Sequence, residues 1–421
     1  MRDRTGWKTG KHTDNALLVT SIIGIAVLSI LYLASRSSSA SGAAQRPPHV
    51  SSWVPWLGSG IHLATNPDKF FNDAIRKHGP VFSLTAVGKK MIYVTSPGLI
   101  AQVYGNPKTL QSKEADHNMG EELFPAHSRQ LQPGTIGPMV SSFVEHLSVN
   151  IRSLAGEVDA TGGVTITESG KIHHVMSVST LAAMMGTTFP ASEFLPAFTK
   201  FDSEFTKLAG ELPTWMCKDA IKYREACLDI LEDRYVTYNR RFETETLAPD
   251  EQVSAVIRAV LDFSGKHGTA TRDIAAFLLA DMFATQANAP PAAAWCVVKL
   301  SENPRALARL RGEIADGVEG SLREKEVVNG STFEFLGSAI KETLRLVTSV
   351  ASIRRVMEDT ILTAQKGTSD GVLLRKGEMI YCLTRPTHTD STVHRDAEEW
   401  IPERFMPDYW AKGEGKTVKN D

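Results

Sequence analysis

Residues 271–304 read TRDIAAFLLADMFATQANAPPAAAWCVVKLSENP, and this stretch decides how the chain is organised. From Ile274 to Leu300 it is apolar on nearly every side, and a helix that is hydrophobic all round lies inside a large protein or a membrane. At ~1.5 Å per residue it would run roughly 40 Å, enough to cross a domain. Thr271 is the predicted cap of this helix. The pattern predicts a central buried helix; the alternative is a kinked membrane span, which would place Asp281 deep in lipid.

A polar island, Thr285-Gln286-Ala287-Asn288, interrupts this helix just before Pro290-Pro291. Each proline removes a backbone donor, so the carbonyl groups of Gln286 and Ala287 lose their usual partners. A kinked helix with free carbonyl groups and an amide side chain predicts a small-molecule site. Gln286 and Asn288 are its candidate polar residues.

Composition sets wider limits. The formal net charge is −2, from 46 Lys and Arg against 48 Asp and Glu, which does not indicate a nucleic-acid partner. With 421 residues, 42% of them hydrophobic, the chain can bury a large core. The cysteines show neither a CxxC motif nor a disulfide framework, which favours a reducing compartment. They are Cys217, Cys227, Cys296 and Cys382.

The N-terminus carries a candidate membrane anchor. Residues 1–15 are polar, whereas residues 16–34, ALLVTSIIGIAVLSILYLA, form an uncharged apolar run. As a helix this run spans about 28 Å, close to the thickness of a bilayer's hydrocarbon core. The alternative is a cleaved signal peptide, although the run is long for that role. We predict a transmembrane anchor, a Pro/Ser-rich linker at residues 35–52 and one domain over residues 53–421.

Local patterns beyond the linker predict a mainly helical domain. Residues 70–77 have a helical pattern, and residues 81–85 and 91–95 predict a β-hairpin around a turn at residues 88–90. The chain is then predominantly helical to about residue 350. Short strands follow between residues 353 and 381.

One pair of charged residues, Glu342 and Arg345, is a candidate for a contact with a distant part of the chain. Glu342 and Arg345 lie three residues apart on a predicted helix, so their side chains can meet. Alone, such a pair is most simply a solvated ion pair worth well under ~1 kcal/mol. Arg404, in the sequence PERF at residues 402–405, could return to this pair after the strand region that contains Arg354.

The joint order of these features resembles that of a microsomal cytochrome P450. The features are the anchor, the Pro-rich linker, the hairpin, the long central helix, the ETLR sequence at 342–345, the strand with Arg354, and PERF. The resemblance implies a mainly α fold with small β-sheets. Residues 285–295, TQANAPPAAAW, are most similar to the branch of sterol 7α-hydroxylase, sterol 12α-hydroxylase and prostacyclin synthase. Filamentous-fungal relatives of that branch often serve secondary-metabolite pathways.

The resemblance also implies roles for individual residues. Glu342, Arg345 and Arg404 would form a structural triad beneath the haem. The residues that would contact the haem propionates are Arg354, His127 and Arg129. Those that would line the pocket for an apolar substrate are Ala284, Ala287, Val350 and Ala351.

Two departures from the family pattern bear on activity. The family commonly has an acid followed by Thr in the central helix, where this chain has Ala287-Asn288, and an amide cannot act as an acid at ordinary pH. The family's iron ligand is a Cys in a loop Phe-x-x-Gly-x-x-x-Cys-x-Gly after PERF, and none of the four cysteines fits it. We therefore expect a chain that stops before the ligand loop, with no axial metal ligand.

The resulting expectation is a haem-thiolate monooxygenase that oxidises a sterol- or terpenoid-like substrate in secondary metabolism. Its partners would be membrane lipid and an NADPH-dependent reductase, and its location the endoplasmic reticulum, with the catalytic domain in the cytosol. Two alternatives stay open: an oxygen-independent haem-thiolate isomerase or dehydratase, which Asn288 would allow, and a non-catalytic truncated membrane protein.

Overall fold

The computed structural model describes residues 45–53, 56–111, 122–161, 170–209, 212–244, 252–318, 333–349, 351–363, 371–407 and 409. The predicted anchor at residues 16–34, most of the linker, and the predicted substrate residue Val350 lie outside the described residues. Among the helices that are described, none combines the length and the apolar character needed to cross a bilayer.

Helices make up most of the described chain, as predicted. A 3-10 turn at Thr214–Met216 separates α7 from α8. In chain order the helices are α1 (Gly60–Thr65), α2 (Pro67–His78), α3 (Pro97–Gly105), α4 (Phe124–Gln130), α5 (Gly137–Thr161), α6 (Gly170–Met185), α7 (Ala191–Ala209), α8 (Lys218–Thr244), α9 (Ala255–His267), α10 (Thr271–Gln286), α11 (Ala289–Glu302), α12 (Pro304–Val318), α13 (Glu334–Val347) and α14 (Arg385–His388).

The strands form two sheets. A six-stranded sheet has the order β1-β2-β3-β8-β5-β4, and β6 pairs with β7 in a second sheet. The strands are β1 (His49–Val50), β2 (Val81–Ala86), β3 (Lys89–Val94), β4 (Leu110–Gln111), β5 (Ala351–Val356), β6 (Thr360–Thr363), β7 (Gly371–Leu374) and β8 (Met379–Leu383).

The predicted hairpin is β2–β3, with Val81 opposite Val94 and Ala86 opposite Lys89. Its turn residues, Val87 and Gly88, have φ values of 50° and 77°. A two-residue hairpin turn with positive φ at both positions matches the twist of the strands. The turn is therefore earlier than predicted, and Lys89 and Lys90 belong to β3.

The chain forms two compact units. The small unit contains residues 45–46 and Ile361–Leu373, where Arg46 Nη1 donates to the Leu373 carbonyl oxygen over 2.9 Å. The large unit contains Pro47–Thr360 and residues 374–409, and it holds the helices and the six-stranded sheet.

The main core of the large unit lies around α10, the first half of the predicted central helix. Its residues Ile274, Ala275, Leu278 and Met282 are fully or almost fully buried among α6, α7, α8 and α9. Phenylalanine side chains of α7 also pack on α10, with the Phe205 and Phe283 ring centroids 4.2 Å apart. A helix buried on this many sides explains why its sequence lacks a polar face.

Two details of the central helix differ from the prediction. It is two helices rather than one kinked rod, because regular helix stops at Gln286 and resumes at Ala289. Thr271 is the first helical residue and not the cap, which is Ala270. The Thr271 hydroxyl instead donates to the Glu232 carboxylate of α8.

Candidate functional site

The break between α10 and α11 places Pro290 and Pro291 in the first turn of a new helix. In that turn no N–H group has an intrahelical acceptor, so prolines cause no loss there. The Asn288 backbone bridges the two helices, and its side-chain Nδ2 donates to the Ala284 carbonyl oxygen over 2.9 Å. The side-chain amide thus stabilises the end of α10, where regular intrahelical backbone hydrogen bonds stop.

Ala284 is exposed near the end of α10, as is Ala280 one turn earlier. Asp281 precedes Ala284 by three residues and lies beside it on the helix, and Asn288, in the break after α10, is exposed too. Ala287 is only partly buried, but it packs against the main helical core. The candidate site is therefore the end of α10 that carries Asp281 and Ala284, together with Asn288 in the break.

Gln286 does not belong to this face. It is 1% exposed, and its Nε2 donates to the Ser177 carbonyl oxygen of α6 over 3.5 Å. Its Oε1 and the neighbouring Ser177 Oγ have no hydrogen-bond partner. Gln286, predicted with Asn288 as a polar residue of the small-molecule site, is therefore buried against α6 and not exposed beside Asn288.

His127 also has a different contact from the predicted one. Its Nε2 lies 3.0 Å from Asp281 Oδ2, and its ring packs edge-on against Phe277 with 5.4 Å between centroids. This contact joins α4 to α10. Arg129, two residues further along α4, is exposed.

The structure does bring Glu342, Arg345 and Arg404 together. Arg345 forms two 2.8 Å hydrogen bonds to the Glu342 carboxylate through Nε and Nη2. Arg404 Nε lies 3.0 and 3.1 Å from the same two oxygen atoms, although 62 residues separate it from Glu342. Glu342 and Arg404 are both 0% exposed. The interaction is therefore a buried two-to-one cluster and not the solvated pair that sequence spacing alone suggests.

Backbone carbonyl groups complete this cluster. The Arg345 guanidinium donates to the carbonyl oxygens of His388, Ala397 and Glu399, and that of Arg404 donates to those of Arg395, Asp396 and Glu399. Glu342 also accepts a 2.9 Å bond from the backbone N–H of Ile401. Two guanidinium groups and one carboxylate leave a formal charge of +1, which the aligned carbonyl dipoles stabilise. The loop before Arg404 is thereby wrapped around the charges.

Two histidines lie beside this positive cluster. Burial, and then the charges of Arg345 and Arg404, lower the pKa of His394 to about 4. Burial and the Arg345 charge also lower the pKa of His388. Both imidazoles are therefore neutral at pH 7.

The predicted propionate contact, Arg354, lies on β5. Its Nη1 donates over 2.8 Å both to Ser352 Oγ and to the Ile353 carbonyl oxygen. Ala351, predicted to line the substrate pocket, is a half-buried residue at the start of the same strand. Strand β5 is fixed on both sides, by β8 and β4.

A broken, buried central helix, a helix with a Glu-x-x-Arg pair bonded to a distant Arg, and a mixed six-stranded sheet define a specific mainly α fold. The cytochrome P450 family model matches residues 195–416, so the chain belongs to the cytochrome P450 family.

Relatives are similar over most of their length. Cytochrome P450 7A1 of Rattus norvegicus is 24% identical, with 89% of this chain and 78% of the relative covered. Sterol 14-alpha demethylase cyp51A of Aspergillus fumigatus is 24% identical, with 89% and 76% covered. The solved structure of retinoic acid-bound cyanobacterial CYP120A1 has a TM-score of 0.67 at 17% identity, with 87% of this chain and 83% of that chain covered. These matches support a monooxygenase with this fold.

Family membership implies a haem cofactor and electrons from an NAD(P)H-dependent reductase. The charge of Arg354 fits the carboxylate groups of a haem. None of the four cysteines fits the axial position, because none lies in a Phe-x-x-Gly-x-x-x-Cys-x-Gly sequence after PERF. All four are buried, and burial raises the pKa of Cys227 to about 12 and that of Cys382 to about 11.

Glu342→Gln should lower the free energy of unfolding by about 3–5 kcal/mol, because it leaves two buried guanidinium groups without a counter-charge. Chemical denaturation of the two proteins would measure the change. Glu302→Gln is the matched control, since Glu302 forms a 3.0 Å pair with Lys299 at the same helical spacing but in solvent. That change should cost less than about 1 kcal/mol. Equal effects would contradict the role of the buried cluster.

From the lowered pKa of His394 we predict that the folded protein loses stability in mild acid. The unfolded chain protonates this imidazole near its ordinary pKa of 6.5, whereas the folded chain does so only near pH 4. The unfolded state therefore binds more protons in this window, and the stability present above pH 6.5 is lost as the pH falls towards 4. Denaturation at several pH values should show a shallower decline in His394→Gln. The same substitution at exposed His62 should leave the slope unchanged, and an unchanged slope in His394→Gln would refute the assignment.

Proposed function

We propose that this protein is a membrane-associated monooxygenase that oxidises an apolar, sterol-like molecule, with secondary metabolism as its setting. The observation that carries the proposal is the exposed surface that Ala284 and Asn288 form at the break between α10 and α11. The names of the relatives support the substrate class, since they include cholesterol 7-alpha-monooxygenase of Cricetulus griseus and lanosterol 14-alpha demethylase of Bos taurus.

The chain's own residues would divide the work as follows. Ala284 supplies a small apolar surface, and Asn288 offers the amide oxygen that its bond to the Ala284 carbonyl leaves free. That oxygen can accept a hydrogen bond from a substrate hydroxyl or a water molecule. Glu342, Arg345 and Arg404 hold the loop before residue 405, and Arg354 supplies a positive charge for the cofactor. A haem, when bound, would supply the activation of dioxygen.

A cavity of about 620 Å³ lies between the hairpin and the end of α7, a suitable size for a lipid-like molecule. Its apolar lining reaches β5 through Ile353, the neighbour of Arg354. The apolar lining residues include Leu63, Met91, Leu212, Ile353, Met379 and Tyr381. The lining does not include Ala284 or Asn288, so we propose that this cavity takes up the apolar substrate before it reaches the helix break.

Two exposed tryptophans lie close in sequence to residues that line this cavity. Trp53 is 90% exposed and precedes the lining residue Gly60 by seven positions, and Trp215 is 67% exposed and follows the lining residue Leu212 by three. Large apolar side chains on a surface mark an interaction site, and Trp is favoured where a protein meets a bilayer. We propose that this side of the large unit rests on a membrane, with the endoplasmic reticulum as its location and the catalytic domain in the cytosol.

An oxygen-independent isomerase or dehydratase is the second candidate. The observation that favours it is the pair Ala287-Asn288, which supplies no acid at the helix break. Asn288 also spends its amide N–H on the Ala284 carbonyl group, so it is a poor proton donor. This candidate predicts turnover without consumption of dioxygen.

The substrate and the reaction type are tested separately. Sterol binding to the full chain is measured by energy transfer from tryptophan to the fluorescent sterol dehydroergosterol. We expect Ile353→Trp to weaken binding at least about tenfold by filling the cavity, whereas Val297→Trp, at an exposed site on α11, should not. With a chain that includes a haem-ligating Cys loop after PERF, and with haem, reductase and NADPH, one atom of ¹⁸O₂ should enter each product molecule. Absence of sterol binding would refute the substrate class, and product without ¹⁸O would favour the isomerase.

Contact with lipid is tested by brominated phospholipids, which quench only tryptophans that reach the acyl chains. When the full-length protein is bound to such vesicles, the Trp215→Ser variant should show less bromine-quenchable tryptophan fluorescence than the wild type. Trp295→Ser is the control, because Trp295 is also exposed but lies on α11. Equal quenching in both variants would contradict a membrane position for the Trp215 side.

A further inference from the structure

Arg354 carries a charge that the described part of the chain does not neutralise. Its Nη1 donates to Ser352 Oγ and to the Ile353 carbonyl oxygen, both 2.8 Å away, and both acceptors are neutral. Within the described residues no carboxylate forms an ion pair with it, and its Nε and Nη2 make no hydrogen bond. Two nitrogen atoms of a half-buried guanidinium, Nε and Nη2, are thus available to donate to a ligand.

Other arginines of the chain show what is missing. Arg345 and Arg404 share the Glu342 carboxylate, and even the exposed Arg375 has an ion pair, 2.5 Å long, with Asp359. A charge that is partly removed from water without a counter-charge is unfavourable. The Arg354 guanidinium is therefore best explained as a group whose charge is neutralised by a bound anion.

The third contact of Arg354 is with Tyr104 on α3. The guanidinium carbon lies 5.0 Å from the centre of the Tyr104 ring, within the range of a cation–π interaction. The ring restrains the plane of the guanidinium but does not neutralise it. Strand β4, which follows α3 in the chain, pairs with β5, with Leu110 opposite Val356.

We propose that Tyr104 is a positioning residue that, together with Ser352, orients Arg354 to bind a carboxylate of the ligand. Ser352 occupies one edge of the guanidinium and Tyr104 one face, which leaves the edge formed by Nε and Nη2. That edge is the planar fork that binds a carboxylate through two parallel hydrogen bonds. The proposal rests on the proposed function, in which the ligand carboxylate belongs to a porphyrin.

The experiment compares metal-free protoporphyrin IX with its dimethyl ester. Neither probe needs an axial ligand, and they differ in the carboxylates that Arg354 would bind. Affinities for the full chain are measured by quenching of tryptophan fluorescence. The wild type should bind the diacid about tenfold more tightly than the diester, because a charged hydrogen-bonded pair is formed only with the diacid.

The variants separate orientation from structure. Arg354→Gln should abolish the preference for the diacid. Tyr104→Leu should weaken diacid binding about fivefold and leave diester binding unchanged, as expected for the loss of one cation–π contact. Tyr104→Phe keeps the ring and should retain wild-type affinity for both probes. Tyr104 is 47% exposed, so these changes leave the core intact.

Three outcomes would overturn the inference: no preference for the diacid in the wild type, an unchanged preference in Tyr104→Leu, or equal losses for diacid and diester. Succinate at millimolar concentration provides a further arm. If succinate at this concentration displaces protoporphyrin IX from the chain, the site recognises any carboxylate and is not specific for that of a porphyrin. A chain that prefers the diacid but binds no sterol would refute the proposed function and leave this inference standing.

Discussion

The bonds from Glu342 to Arg345 and Arg404 are the constraint on which much of the structure depends. A buried carboxylate and two buried guanidinium groups are stable only with their hydrogen bonds complete, because each unmet charge costs several kcal/mol. The cluster therefore fixes more than three side chains. It requires the carbonyl groups of residues 388–399 to point inward, and this sets the path of the chain between β8 and Arg404. A loop with little regular structure is thereby ordered by electrostatics.

The central helix shows a different kind of constraint. Its sequence is nearly all apolar because α10 is surrounded by other helices, and only a few positions are open. The two prolines limit where the helix can continue, so the break falls at residues 287–288. Asn288 then performs two tasks with one amide: its N–H group repairs the end of α10, and its oxygen faces the open side. The break is thus both a backbone necessity and the feature that gives the helix a usable face.

The sequence predicted the hairpin, the run of helices, a kink before Pro290 and the late strands, because these depend on local patterns. The convergence of Arg404 on Glu342 was expected only through the family resemblance, since nothing local encodes a contact across 62 residues. Gln286 and Asn288 looked equivalent in sequence, but Gln286 is the last residue of α10 and Asn288 lies in the break that follows it. One amide consequently faces α6 and the other faces the opening. The partner of His127, Asp281, is 154 residues away, and its carboxylate gave no local signal of that contact.

The arginines illustrate how a fold separates scaffold from binding site with one residue type. Arg345 and Arg404 have their donors used by a carboxylate and by backbone carbonyl groups, so they have little capacity for a ligand. Arg354 is held instead by a hydroxyl, a carbonyl and an aromatic face, none of which cancels its charge. Holding a cation with neutral groups fixes its direction while preserving its attraction for an anion. The identity of the neighbours, more than burial or sequence position, therefore decides which arginine can serve a ligand.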